Sequence, residues 1–119
     1  MRGFVDLHCH WIPGIDDGAR SADEGREMLR RLRQAGYDLV MATPHMRPGM
    51  FDNDKRALES AFASMRPALA AEAGLPEVHL SSEHFLDDVV FGRLLKGEGL
   101  PYPDVGPRAP AARKRGVLV

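Results

Sequence analysis

The sequence predicts an α/β fold with parallel strands joined by crossover helices. Two observations carry this reading. Short apolar runs alternate with segments of three- and four-residue apolar spacing in the order βαβαβα, and residues able to do chemistry recur just after each of the three strands. Parallel strands need crossovers, and function in such sheets collects at the C-terminal ends of the strands, in an α/β barrel as in an open doubly wound sheet. A scatter of core histidines has no reason to choose the same end of three strands.

The elements follow in order. Gly3 to His8 reads as the first strand. Ser21 with Glu24 makes a capping box, Met28, Leu29, Leu32 and Ala35 share one face, and Gly36 stands where a helix-ending glycine belongs. Asp38 to Thr43 is the second strand, and Pro44 ends it because proline cannot donate to a ladder. A second helix starts near 52–54, carries Leu58, Ala61, Phe62, Met65 and Leu69, and stops at Gly74-Leu75-Pro76. Pro67 is expected to bend it. Glu77 to Ser82 is the third strand, and a weaker helix over Asp87 to Lys96 is capped by Asp87 and Asp88. This body is assigned to residues 1–96. Residues 97–119, rich in glycine and proline, read as a loop leading through Arg113-Lys114-Arg115 into Gly116–Val119, the opening of a fourth strand.

Composition narrows the class. The 119 residues allow one domain at most, with 44% hydrophobic and 28% charged residues. No uncharged run approaches the ~18 residues of a membrane helix. The acidic residues Asp6, Asp16, Asp17, Asp23 and Glu24 argue against a secretory leader, so a cytoplasmic location is expected. A net charge of −1 argues against nucleic acid as a partner. The single cysteine, Cys9, cannot form an internal disulfide.

The first chemical cluster is Asp6-Leu7-His8-Cys9-His10. Side chains two apart in an extended segment share a face, so His8 and His10 can reach one ion while Leu7 and Cys9 face the core. Alone, such a pair is as well read as two polar loop residues; with donors downstream, a metal site is the better reading. Cys9 reads as an apolar filler, because the arginine that a cysteine phosphatase needs is replaced by Ile15. Of the turn carboxylates Asp16 and Asp17, Asp17 is the expected ligand, hard oxygen suiting Mn, Mg or Fe. His45 follows the second strand at its rim. Arg47, two residues on, is either a phosphate-gripping fork or a solvated loop cation. Glu83 ends the third strand, where a carboxylate can bridge two cations or simply lie exposed. His79 and His84 are expected to be structural or supporting.

Asp6-Leu7-His8-Cys9-His10, Pro13 to Gly18, Ala42-Thr43-Pro44-His45, Gly49-Met50-Phe51 and Ser82-Glu83-His84 together resemble the N-terminal half of the PHP (polymerase and histidinol phosphatase) family. More narrowly, they resemble the bacterial CpsB/CapC-type tyrosine phosphatases of capsule and exopolysaccharide biosynthesis. The resemblance implies the N-terminal half of a distorted PHP-type, TIM-like β/α barrel. It also implies up to three divalent ions, commonly manganese, with Fe, Zn or Mg as alternatives. On that pattern His8, His10 and Glu83 bind one ion, Glu83 bridges to a second, and Asp17 with His45 holds the third. Arg47 matches a basic loop position. The implied activity is hydrolysis of phosphotyrosine by metal-bound hydroxide, on an autophosphorylating bacterial tyrosine kinase.

The family's later ligands, another glutamate, further histidines and a C-terminal Asp-x-His pair, have no counterpart here, so a truncated chain is expected. A half barrel exposes sheet edges, which implies possible homo-oligomers. Two alternatives accompany the phosphatase reading: a non-catalytic remnant or interaction module, and a PHP phosphoesterase acting on a small ester such as histidinol phosphate.

Overall fold

The computed structural model describes residues 3–103, 105 and 115–119. Its elements in chain order are β1 (Phe4–Cys9), α1 (Ala22–Gln34), β2 (Tyr37–Ala42), β3 (His45–Met46), α2 (Lys55–Ser64), α3 (Arg66–Ala70), β4 (Glu77–Leu80), β5 (Glu83–His84) and α4 (Asp88–Leu95). The strands β1, β2 and β4 form a parallel sheet in that order, and β3 pairs with β5 in a second parallel ladder. The protein is thus mixed α/β with parallel strands, and the described residues form no closed sheet.

Local signals explain the helix ends. Ser21 Oγ accepts from the Glu24 N–H at 3.1 Å, and Asp54 and Asp87 cap α2 and α4 in the same way. The Glu24 carboxylate turns to Arg20 rather than back to Ser21, so the capping box is half made. Gly36 takes φ +100 after α1, a left-handed turn that brings its carbonyl to the Phe4 N–H at 2.9 Å and starts β1. Pro67 does more than bend a single helix. It cannot donate to the turn before it, and the helical segment divides at Met65 into α2 and α3.

The main core lies between the three-stranded sheet and the helices. Cys9, Trp11, Ile12, Leu29, Val40, Ala42 and Met65 are buried together, and Trp11 meets Phe62 edge to face with ring centroids 6.0 Å apart. Burying one such large side chain contributes about 1.5–3 kcal/mol. The run Leu39–Ala42 is buried on both faces, as a central parallel strand requires. A second cluster of Met46, Leu58 and Leu100 packs under the β3–β5 pair.

Leu7 departs from the sequence reading: it is 52% exposed, whereas Cys9 is buried as expected. The ladder to β2 shifts register between Asp6 and Cys9, and no described element covers the face on which Leu7 stands. The Leu7 carbonyl accepts instead from the Tyr102 hydroxyl at 2.6 Å. Near the C-terminus, Leu118 makes an isolated parallel bridge to Glu83, and its carbonyl accepts the His84 N–H at 2.9 Å. Arg113 and Lys114 of the expected basic cluster, and residues 106–112 of the expected loop, lie outside the described residues.

Candidate metal centre

The strand ends place five donor side chains around one open depression. β1 delivers His8, and the chain beyond it folds back on itself: the Ala19 N–H donates to the His10 carbonyl at 3.0 Å and the Gly14 N–H to the Ala19 carbonyl at 2.9 Å. The return is so close that a Cβ on Gly18 would lie 2.1 Å from the His10 carbonyl oxygen, so only glycine fits there. This loop presents Asp16 and Asp17 to His10. From the other side, β3 and β5 set His45 and Glu83 as direct register partners.

The oxygen Oε2 of Glu83 is the meeting point. It lies 2.8 Å from His10 Nε2, 3.0 Å from His8 Nε2 and 3.6 Å from His45 Nδ1. The Nε2 atoms of His8 and His10 are 3.2 Å apart. On the far side of the depression, Asp17 Oδ1 is 3.3 Å from His45 Nε2 and 3.5 Å from His10 Nδ1. Donors from His8, His10 and Glu83 lie within 4.8 Å of one another, and so do donors from His10, Asp17 and His45.

Asp16 organises the cluster from beneath. Its side chain is fully buried, and Oδ2 accepts from His10 Nδ1 at 3.0 Å and from the His45 N–H at 3.1 Å. Oδ1 accepts from the Gly18 N–H at 2.9 Å. Burial alone would raise the Asp16 carboxyl, but these hydrogen bonds from His10, Gly18 and His45 outweigh it and hold the pKa below its ordinary value. The same Asp16 hydrogen bond raises the His10 imidazole against the opposing effect of its burial, with Glu83 and Asp17 adding to the rise. Asp16 thus engages His10 Nδ1, while Nε2 is directed toward Glu83 and His8.

The Asp16 bond to Nδ1 favours the first of the two donor groups. His10 serves with His8 and Glu83 through Nε2, and its Nδ1 is not free to serve with Asp17 and His45. The spacing fits a cation: donors bonded at about 2.1 Å and at right angles around one ion lie about 3 Å apart. The separations of 2.8, 3.0 and 3.2 Å among His8, His10 and Glu83 match that edge. Neutral imidazole and carboxylate suit manganese, iron or zinc.

Other candidates fall outside the cluster. Cys9 is buried, and burial together with Asp6 pushes its thiol up to about 12, the chemistry of a filler. His79 bonds Glu77 at 2.6 Å. His84 is buried against the Ser82 hydroxyl at 2.9 Å, and burial and the Arg93 charge hold its imidazole below the usual value. Arg47 points along the next step of the strand, with its guanidinium 4.0 Å from the centre of the Phe85 ring.

Three supporting residues were not singled out by the sequence reading. Asp16 was weighed only as the lesser partner of Asp17. Phe51 stacks on His45 at 5.2 Å and 13°, held by two backbone hydrogen bonds to Arg47. Asn53 Nδ2 ties the carbonyls of Ile15 and His45 together at 2.9 and 3.0 Å. The Gly-Met-Phe run at 49–51 was the available signal for the second of these.

The chain is similar to known proteins of one family. The family described as "Capsular polysaccharide synthesis, CpsB/CapC" matches residues 4–101. The tyrosine-protein phosphatase YwqE of Bacillus subtilis (strain 168) is 34% identical over 69 residues, covering 58% of this chain and 27% of that protein. The tyrosine-protein phosphatase CpsB of Streptococcus pneumoniae is 29% identical over 63 residues, covering 53% of this chain and 26% of that protein. One solved chain comes from crystal structures of YwqE from Bacillus subtilis and CpsB from Streptococcus pneumoniae, described as unique metal-dependent tyrosine phosphatases. It superposes with a TM-score of 0.73 at 30% identity, covering 82% of this chain and 40% of that one. The matched stretch spans about a quarter of the length of these curated relatives.

Proposed function

The chain belongs to the capsular polysaccharide synthesis CpsB/CapC family, and from that membership we propose that it carries the N-terminal ligand set of a metal-dependent protein-tyrosine phosphatase. The observation that supports this most is the convergence of His8, His10 and Glu83 within 4.8 Å at the ends of parallel strands. In this reading the open strands are the first half of a PHP-type β/α barrel. Residues 1–96 form its body and 97–119 lead into a fourth strand. The substrate is a phosphotyrosine protein, expected to be an autophosphorylating tyrosine kinase of polysaccharide synthesis in the cytoplasm.

His8, His10 and Glu83 would hold one divalent ion, with Glu83 bridging toward a second and Asp17 with His45 holding another; manganese is the expected metal. When bound, such ions supply Lewis-acid charge to the phosphoryl oxygens and make water nucleophilic near neutral pH. The chain's own residues do the rest. Asp16 engages His10 Nδ1, Phe51 and Asn53 hold His45 in place, and Arg47, two residues beyond His45, is the cation expected to receive a phosphoryl oxygen. A phenolate leaving group, with a pKa near about 10, departs without a strong general acid. No nucleophilic side chain is required, in keeping with the inert Cys9.

The test pairs metal content with turnover. The chain loaded with manganese should hydrolyse a phosphotyrosine peptide faster than histidinol phosphate, and a chelator or His8→Ala should abolish the activity. Metal binding without turnover would overturn the catalytic reading in favour of a non-catalytic metal-binding module. A specific observation favours that second reading: five donor side chains are few for three ions that each take about four to six donors.

A further inference from the structure

The register of β3 and β5 extends beyond the metal cluster. His45 opposes Glu83 and Met46 opposes His84, and Arg47 and Phe85 are the residues that directly follow the two strands. Each therefore lies two residues, at most about 7 Å of extended chain, beyond a member of the His45–Glu83 pair. The side chains meet there, with Arg47 Cζ 4.0 Å from the centre of the Phe85 ring.

Two features mark this pair as more than packing. Phe85 remains 52% exposed although Arg47 covers one side of it, so ring surface stays in water two residues beyond Glu83. The Arg47 backbone is pinned on both sides by Phe51, whose N–H and carbonyl bond it at 2.8 and 3.1 Å, which fixes the point from which the guanidinium reaches Phe85. Its other side-chain partner is Met50 Sδ at 3.5 Å, which leaves its charge uncompensated by a carboxylate among the described residues.

We propose that Phe85 is a specificity-determining residue whose ring, braced by Arg47, receives the aromatic ring of an aryl phosphate monoester. The inference rests on the phosphatase reading above. With the phosphoryl group at His45 and Glu83, the ring of phosphotyrosine reaches outward by about the length of a two-residue step, the reach needed to meet Phe85. The shorter side chain of phosphoserine ends before that step and gains nothing from it.

The test uses the full chain loaded with manganese. It compares hydrolysis of phosphotyrosine and phosphoserine peptides of one sequence, and the binding of their non-hydrolysable phosphonate analogues. Loss of one aromatic contact corresponds to about three- to tenfold, so Phe85→Ala should lower the phosphotyrosine-to-phosphoserine ratio of kcat/KM, and of affinity, by about that factor. Phe85→Tyr, which keeps a ring, should retain the ratio. An unchanged ratio in Phe85→Ala overturns this inference alone when the unmodified chain is active. Failure of the unmodified chain to hydrolyse or bind either ester overturns both readings.

Discussion

His45 and Glu83 face each other as register partners across two strands of two residues each, and Glu83 Oε2 also lies within 3.0 Å of ring nitrogens of His8 and His10. One carboxylate oxygen thereby joins the ends of β1, β3 and β5. Glu83→Gln keeps the shape but removes the charge and one acceptor. It is expected to weaken manganese binding by more than about a hundredfold, beyond the cost of losing an outer partner of a metal ligand. Calorimetric titration checks this, and unchanged affinity would remove Glu83 from the centre.

Asp16 should act without touching the ion. Asp16→Ala leaves the His45 and Gly18 N–H groups and His10 Nδ1 without their acceptor. A buried donor stripped of its partner costs about 1–3 kcal/mol, and the loss of the orienting bond should weaken metal binding about 10–100-fold. Denaturant unfolding and metal titration measure the two effects separately. Asp17→Ala, at a side chain that is 64% exposed, should cost little stability.

The metal-free chain should show a stability window. The Asp16 pKa is lowered from 3.8, so its contribution is present above that value and is lost as pH falls through the lower folded value. The His10 pKa is raised from 6.5, so its contribution is full below that value and is lost as pH rises through the higher folded value. The two give greatest stability between 3.8 and 6.5. Asp16→Asn should flatten the profile on both sides; an identical profile in chelator would show that the pair does not set it.

Cys9 should be chemically silent. With its thiol pushed up to about 12, very little thiolate exists at pH 8, so iodoacetamide should label the folded chain orders of magnitude more slowly than a cysteine peptide. Rapid labelling coupled to loss of metal-dependent hydrolysis would reverse the assignment of Cys9 as filler.

Gly18 and Gly92 offer opposite outcomes for the same change. A methyl at Gly18 meets the His10 carbonyl, whereas nothing lies within 4 Å of a methyl at Gly92 in α4. Gly18→Ala should destabilise by about 2 kcal/mol or more and misplace His10, while Gly92→Ala should stabilise by about 0.5–1 kcal/mol. Thermal unfolding of both variants checks the pair.

The parts of this molecule legible in its sequence are those governed by short-range rules. The spacing of His8 and His10 places both on one face, Ser21 caps α1, and Pro44 ends the second strand before His45. What could not be read depends on how distant segments meet. The β3 and β5 strands are two residues long, too short for any periodicity to show. The choice between Asp16 and Asp17 turns on the path of the loop closing at Gly18, which decides which carboxylate is buried and which looks outward. Leu7 looks like a core residue by alternation, but the ladder shifts register beside it and its face lacks a covering element among the described residues.

The contact between His8 and Glu83 spans 75 residues of chain. Closing so long a loop is entropically costly, and the pairing of β4 with β2 shortens it, so the contact is expected to form after that pairing. The three-donor set therefore does not exist in early, partly folded forms. An ion that needs all three donors arrives late and cannot seed the fold, so tight metal capture serves as a clock for completion of the parallel sheet.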